Sequence, residues 1–487
     1  MNYAEIFRAL QAESALVLLA LVVLAVDLLA PRTASMHTRW RNGILVMAIG
    51  CITAFICLSR APEQLSLLGG MLSYGRTASV IKQVIVILTF ITAVISMNSR
   101  FTKHIGEYLA LMLLATVGMM LLGSSDNLLL IFVALELTSL PLYVLTAFNK
   151  SSVQSSEAGL KYFLFGSMSA AFTLFGLSLL YGISGEITLS GIAAKLGGQL
   201  DPIFYVALVM TVIGFAFKIA VAPFHLWAPD VYQGAPTPVA AFIASGSKVA
   251  SFFVLARIMM AGFAGTEGSA AWRDVLPGWV PLLAALAIAS MVLGNVAAIA
   301  QSSVKRLLAY SAIAHAGYAL LAVLANTPQG FGSLLYYVVT YAVTALGAFA
   351  VVGVVENSSE GDSLSHFAGL SRRSPVLSLC MLVFVLSLAG IPPLAGFFGK
   401  FYVFTAAARA GAPLGLLWLV IIAIATSAIS LYYYLQVLKQ IYVSEGPVTI
   451  IPIPISLPVR LSILALAVAV VLLGCAPDFL LQKFLLN

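Results

Sequence analysis

The chain has 487 residues, of which 61% are hydrophobic and only 9% are charged. Soluble proteins carry about 25% charged residues, so a secreted or cytosolic fold is excluded. The net charge of +7 is read as Lys and Arg gathered in loops on the cytoplasmic side of a membrane. Nucleic-acid binding is not expected, because no basic stripe or aromatic binding platform stands out.

A membrane helix needs about 20 mostly apolar residues, and such runs recur along the whole length. Breaking the hydropathy at Pro, Gly and charge clusters predicts about fourteen spans. They cover 12–30, 43–59, 78–97, 107–123, 127–147, 157–183, 202–222, 236–262, 278–299, 305–325, 331–355, 375–404, 414–440 and 458–477. The expected fold is an all-α polytopic membrane protein forming a single membrane domain over 1–487. Its parts are three N-terminal helices within 1–106, five within 107–262, five within 278–440 and a last helix at 458–477. The first run carries Asp27 and lacks a clear small-residue cleavage site, so it is expected as a retained helix and not a signal peptide. The stretch 188–200 is too polar to span and is expected as a short amphipathic surface helix or a hairpin. Lys and Arg are denser in odd-numbered connections, including Arg32, Arg39, Arg41, Arg100, Lys103, Lys150, Arg372 and Arg373, than in even ones. That bias puts the odd connections inside and both termini on the periplasmic side.

Two spans are interrupted. The seventh runs into Pro223 and Pro229, and the twelfth contains Pro392 and Pro393 between Gly390 and Gly396. Proline removes a backbone donor, and broken backbone at membrane depth is tolerated only against protein or a wet cavity. The breaks lie five spans apart. Paired interruptions at matching positions suggest two five-helix repeats, each with a broken helix. Five is odd, so consecutive repeats would be inverted.

Ionisable residues sit inside these apolar runs. Glu136 falls in the fifth span, Lys161 early in the sixth, Lys218 one turn before the first break and Lys248 mid-way along the eighth. Lys400 follows the second break. Each such charge costs about 2.5–3.5 kcal/mol on insertion scales, so a use is expected, and moving protons or ions is the natural one. Glu136 and Lys218 can form an ion pair across neighbouring helices. A permanent structural salt bridge would explain one isolated pair, but a row of lysines lacks the carboxylates to neutralise it. Lys248 has only small hydroxylated neighbours, Ser245 and Ser247, and no carboxylate near it in sequence. His225 lies in the first break and His315 mid-span. Either can relay protons or sit neutral against a backbone carbonyl. Lys305 and Arg306 open the tenth span and are expected as interface anchors. Asp27 is placed near a surface without a role. Trp227 and Tyr432-Tyr433-Tyr434 are expected in an aromatic belt, and Met119-Met120 and Met259-Met260 as core filler.

Cys51, Cys57, Cys380 and Cys475 are isolated, so neither zinc nor iron–sulfur ligation is expected. No dinucleotide or P-loop glycine motif is present. Any redox chemistry is expected in other chains.

The run from Ala222 to Val239 (APFHLWAPDVYQGAPTPV), with Val304 to Ser311 (VKRLLAYS) and His315-Ala316-Gly317-Tyr318, resembles the antiporter-like membrane subunits of respiratory complex I. The resemblance spans nearly the whole chain. Lys400 in the twelfth span, Gly246-Ser247-Lys248, Glu157 to Tyr162 and a chain ending after about fourteen spans look like the subunit N branch of that family. The resemblance implies a charged, hydrated axis formed by Glu136, Lys218, Lys248 and Lys400, driven by quinone reduction elsewhere. It also implies that NADH, FMN, iron–sulfur clusters and quinone belong to partner subunits, with no cofactor or metal in this chain. The implied partners are other membrane subunits of complex I, especially antiporter-like ones, and the lipid bilayer of a bacterial inner membrane. The expected activity is proton translocation as a non-redox subunit of NADH:quinone oxidoreductase. Protons would be taken up near Lys218, pass Lys248 and His315, and leave near Lys400, with Glu136 gating Lys218. A subunit of a multi-component sodium/proton antiporter and a passive membrane scaffold are the rival readings.

Overall fold

The computed structural model describes residues 6–485 apart from 8, 32, 34, 61–63, 68–69, 100, 197–200, 360, 412–413 and 447–452. Of the residues used above to orient the chain, Arg32 and Arg100 therefore lie outside the described residues. The first three spans are α1 (Gln11–Leu29), α2 (Met36–Ser59) and α3 (Arg76–Ser96). Next come α4 (Ile105–Leu122), α5 (Leu128–Thr146), α6 (Val153–Ser184) and a short surface helix α7 (Leu189–Leu196). The first interrupted span is α8 (Pro202–Ile219) followed by α9 (Trp227–Gly234). The eighth span is α10 (Thr237–Phe242), a π-helical turn (Ile243–Ser247), α11 (Lys248–Arg257) and a second π turn (Ile258–Gly262). The second half holds α12 (Trp279–Ile299), α13 (Val304–Leu324), α14 (Pro328–Ser359), a single turn α15 (Leu370–Arg373), α16 (Pro375–Ala389), α17 (Ala395–Arg409) and α18 (Leu417–Tyr442). The chain ends in α19 (Leu457–Cys475) and α20 (Asp478–Leu485).

Among the described residues, thirteen helices are long and apolar enough to cross a membrane. The remaining predicted span, the twelfth at 375–404, is α16 and α17 in series, each too short alone. The α7 helix is the amphipathic alternative expected for 188–200. Two antiparallel hairpins, Gln64–Leu67 with Leu72–Gly75 and Ser269–Ala271 with Asp274–Leu276, close the connections after α2 and after the eighth span.

The outer helices turn large apolar side chains outward, among them Leu18, Leu164, Phe175, Ile421 and Leu472. Such a surface suits lipid tails. Three spans are enclosed instead: the most apolar window of the eighth is fully buried, and those of α13 and α14 are 94% buried. Close approach between helices rests on small residues, as is usual in membranes. A Cβ on Gly118 of α4 would stand 2.5 Å from the Thr138 nitrogen of α5, and one on Gly294 of α12 would stand 2.6 Å from the Ala314 nitrogen of α13.

The two breaks end alike. At the end of α8, Ala220 takes a left-handed conformation (φ 58°), the Val221 N–H donates to the Ala216 carbonyl at 3.0 Å and the Ala220 N–H to Phe217 at 3.0 Å. At the end of α16, Gly390 is left-handed (φ 87°), with Ile391 donating to Leu386 and Gly390 to Ser387, each at 3.0 Å. Both are Schellman closures, which satisfy last-turn carbonyls without water. Trp227 then folds back onto the first break. Its indole N–H donates to the Phe217 carbonyl at 3.0 Å, and its ring stacks on Tyr162 at 4.5 Å. Trp227 is thus buried, and its expected place in an aromatic belt is corrected: it closes the interrupted helix.

One buried charge pair ties the N-terminal helices together. Lys82 of α3 donates to Glu13 of α1 at 2.6 Å, with the two side chains 0% and 5% exposed. The ammonium also lies 4.3 Å over the Tyr74 ring. Removing one partner of a buried pair leaves an uncompensated charge, at a cost of about 3–5 kcal/mol. Lys82→Met is therefore expected to lower the thermal unfolding midpoint in detergent sharply, and the double variant with Glu13→Leu to recover most of the loss. A single variant as stable as the wild type would contradict the pairing.

Candidate functional site

The first group is built on α5. Asn127 caps this helix by accepting from the Leu129 and Leu130 N–H groups at 3.0 and 3.3 Å. Pro141 within the helix has no N–H, so the Leu137 carbonyl loses its usual partner. Glu136 is half-buried on this helix. One turn on, the Ser139 hydroxyl donates to its own helix's Leu135 carbonyl and accepts from the Lys218 ammonium. Lys218 is the penultimate residue of α8, next to the break, and its Nζ lies 5.6 Å from the Tyr143 ring centre. Glu136 is close enough to act on the Lys218 charge, but among the described residues no ion pair joins them within 4.0 Å. The expected contact pair is open here, and a serine hydroxyl holds the ammonium.

The second group occupies the enclosed spans. Lys248 follows the π turn and is 3% exposed; its Nζ donates to the Ala312 carbonyl of α13 at 2.7 Å. One turn along α13, His315 is buried between two phenols. Its Nδ1 is 2.7 Å from the Tyr337 hydroxyl and its Nε2 3.2 Å from that of Tyr434. Tyr434 also meets the Ser311 hydroxyl at 2.5 Å. The Tyr341 ring is shared, 5.0 Å from the His315 ring and 5.7 Å from the Lys248 ammonium. Lys400, 5% exposed, reaches back across the second break. Its Nζ donates to the Ala389 carbonyl at 3.1 Å and to the Ser427 hydroxyl at 2.8 Å. Gly390 makes this possible: a Cβ there would stand 3.0 Å from the Lys400 stem. The Tyr318 ring lies 5.3 Å from the same ammonium, and its hydroxyl continues to Thr426 at 3.3 Å and to Asn295 at 2.9 Å. Lys248, His315 and Lys400 thus share one buried set of hydroxyls and rings. No hydrogen bond among the described residues links Lys218 to that set.

A third group forms a polar mouth. Asp230 of α9 holds both Lys161 and Arg306 at 2.7 Å, and Lys161 also pairs with Glu157 at 2.7 Å. Burial works to raise the Asp230 carboxyl, and the two cations more than offset it, leaving it below the usual carboxylate range. Lys305 pairs with Glu356 at 2.7 Å, and Thr237 donates to the same carboxylate. Thr237, Lys305 and Glu356 border a cavity of about 320 Å³ that extends to Ser99 and Asn149, and Glu157, Lys161 and Asp230 border a separate one of about 170 Å³.

The family described as NADH:quinone oxidoreductase/Mrp antiporter, TM, matches residues 125–430. The chain belongs to this family. It is 51% identical over 491 residues to NADH-quinone oxidoreductase subunit N 2 of Acidobacterium capsulatum, with 99% of each chain covered. A chain of respiratory complex I from Thermus thermophilus, solved with bound aureothin, superposes with a TM-score of 0.79 at 34% identity, covering 97% of this chain and 98% of that one. A chain of the Mrp complex from Dietzia sp. DQ12-45-1b shares the fold, with a TM-score of 0.81 at 21% identity over 97% and 96% of the two chains. The protein is an antiporter-like membrane subunit of the complex I type, most similar to subunit N.

Several sequence expectations change in this family's fold. Lys161 is not in the row of buried lysines but at the mouth, 38% exposed and paired twice. Lys305 and Arg306, expected as interface anchors, pair with the carboxylates of Glu356 and Asp230 at the mouth. His225 sits in the break, away from the His315 set, and its Nδ1 makes no hydrogen bond to protein. Only Tyr432 of the tyrosine triplet is exposed as a belt would require. Tyr433 and Tyr434 are buried and bind Asn295 and His315, because a helix buries one face and adjacent residues point about 100° apart. The sequence reading did not find Tyr337, Tyr341, Ser139, Glu13 or Lys82. Of these Lys82 and Glu13 left a signal, each a charge inside a predicted span, 78–97 and 12–30.

Asp230→Asn is expected to remove the two ion pairs that Asp230 makes. The pairs are partly exposed, so each is worth roughly 0.5–1 kcal/mol. A small fall in the thermal midpoint, larger at low salt, is expected from scanning fluorimetry in detergent. A midpoint unchanged at low ionic strength would show that Asp230 holds nothing together.

Proposed function

We propose that this chain moves protons across a bacterial inner membrane as a non-redox subunit of an NADH:quinone oxidoreductase. Quinone reduction in partner subunits drives the movement, and NADH, FMN and iron–sulfur clusters act in those partners. The observation that carries the reading is the buried set from Lys248 through His315 to Lys400. Two of the enclosed spans hold the Lys248 amine and the His315 imidazole, α17 brings the Lys400 amine to them, and neutral oxygens surround all three. An amine held by a serine hydroxyl or a backbone carbonyl keeps a place for its proton without being locked by a carboxylate.

In this reading Lys218 takes a proton while Glu136 is near and releases it as Glu136 moves away. Lys248 is the next amine. His315 passes the proton between the phenols of Tyr337 and Tyr434 and returns to its starting state. Lys400 is the last amine, and its release is favoured when Lys248 is charged, because like charges in a low-dielectric interior repel. The two Schellman-closed breaks, five spans apart, support two inverted five-helix repeats, each supplying one lysine at a helix interruption. The full-length identity to subunit N favours coupling to quinone reduction over a stand-alone sodium/proton antiporter.

The test is the intact complex in sealed vesicles, carrying Lys218→Ala or Lys248→Ala. Assembly is expected to persist, while proton pumping and coupled quinone reduction fall together by at least about tenfold per 1.4 kcal/mol of lost coupling. Full turnover with full pumping in both variants ends the proposal. Loss of assembly with normal pumping in whatever assembles would favour a scaffold. A purified complex without flavin would favour the antiporter reading.

A further inference from the structure

Glu136, Ser139 and Tyr143 lie three and then four residues apart on α5, a spacing that puts a carboxylate, a hydroxyl and a phenol on one helix face. Lys218 meets that face from the end of α8. Its ammonium donates to the Ser139 hydroxyl and stands 5.6 Å from the centre of the Tyr143 ring. The Cβ atoms of residues three apart on a helix are about 5–6 Å from one another, so the ammonium sits one helical step from Glu136. The surroundings of this contact are fixed. Two residues after Lys218 the chain turns left-handed at Ala220 (φ 58°). The Tyr143 ring meets Tyr162 edge-on at 4.8 Å and Phe163 at 6.0 Å, and its hydroxyl fills the space opposite Gly166 of α6, where a Cβ would collide with it. The freedom left to the ammonium therefore runs along α5, between Ser139 and Glu136.

Ser139 is fully buried, and its hydroxyl donates to the Leu135 carbonyl of its own helix. A helix already supplies that carbonyl with the N–H of the residue four positions on, so the hydroxyl proton is spare there and free to turn. A hydroxyl carries one donor and two acceptor lone pairs. Turned toward Leu135, it accepts from the charged ammonium, the arrangement found here. Turned toward Lys218, it donates to the lone pair of the neutral amine. A carboxylate, in contrast, favours only the charged form. We infer that Ser139 is a positioning residue of the proton path, a neutral seat that holds the Lys218 amine off Glu136 in both of its protonation states. The inference rests on the proton-moving reading and says where Lys218 waits when its carboxylate is out of reach. In the step, the ammonium leaves Glu136 for Ser139 and gives one proton to water on the way toward Lys248. The Ser139 hydroxyl then rotates to donate to the amine. Lys218 takes up a new proton and returns to Glu136, and the hydroxyl ends with the proton it started with.

The experiment uses the whole complex in sealed vesicles, with proton pumping measured per assembled complex. Ser139→Ala removes the seat and is expected to slow pumping severalfold while the thermal midpoint of the complex stays near that of the wild type. A hydroxyl that only braced α5 would lower the midpoint and leave pumping per assembled complex unchanged, and that result overturns the inference. Wild-type pumping by Ser139→Ala, alongside a defective Lys218→Ala, overturns the seat and leaves the broader reading standing. Wild-type pumping by both overturns both. A second comparison does not depend on the alanine variant assembling. Ser139→Thr and Ser139→Val add the same branch to the helix and differ in the hydroxyl. The threonine variant is expected to pump severalfold faster than the valine one, and equal rates overturn the inference. Ser139→Asp puts a carboxylate in the seat and fixes the ammonium as charged. Its pumping is expected to be as slow as that of the valine variant, and a wild-type rate overturns the need for a neutral seat.

Discussion

An ammonium buried among apolar helices must have oxygen around it, and much of this structure follows from where that oxygen is found. A complete helix offers few spare acceptors, since each interior carbonyl already receives an N–H. Interruption supplies them. The end of α16 presents the Ala389 carbonyl to Lys400, at the negative end of a half-helix. The end of α8 places Lys218 itself beside a break, with Ser139 across from it. Lys248 follows a π turn, where the chain gains a residue in the turn, and shares the Ala312 carbonyl of a neighbouring helix. Schellman closures absorb the remaining orphan groups, so the interruptions are stable inside the membrane without solvent.

Two kinds of buried lysine result. Lys82 is locked to Glu13, and that contact ties α1 to α3. Lys218, Lys248 and Lys400 have hydroxyls and carbonyls in place of carboxylates. A carboxylate at contact distance fixes a charge, whereas neutral oxygens hold the amine's position while leaving its protonation free to change. The tyrosines extend this logic. Their rings fill space between the enclosed helices as phenylalanines would, and their hydroxyls join Ser311 to His315 in one hydrogen-bonded group and Asn295 to Thr426 in a second. Packing and proton handling are thus done by the same side chains. The outer helices contribute an apolar coat and keep this interior from lipid.

The mouth differs in composition because it differs in surroundings. Asp230, Glu157 and Glu356 pair there with Lys161, Arg306 and Lys305, and most of these groups keep part of their surface open. Full carboxylate–amine pairs are affordable where water shares the field. Deeper in, the carboxylates thin out and phenols and carbonyls take over. The change from ion pairs to neutral partners marks the passage from a wetted rim to the enclosed helices.

Composition and hydropathy alone determined that this is a many-span membrane chain, where nearly every span lies, and that two spans break at prolines. They also exposed Glu136, Lys218, Lys248 and Lys400, because a charge in an apolar run is visible in one dimension. What needed the tertiary structure was the partner of each charge. Glu136 and Lys218 are near one another but not in contact, Lys161 and Arg306 meet at Asp230 from helices far apart in sequence, and Lys82 finds Glu13 across 69 positions. The burial of Trp227, Tyr433 and Tyr434 was likewise hidden, since an aromatic residue near a span end reads the same whether it faces lipid headgroups or the interior. The physical reason is that hydropathy reports how much apolar surface a segment has, while the direction each side chain faces is set by which helices pack against it.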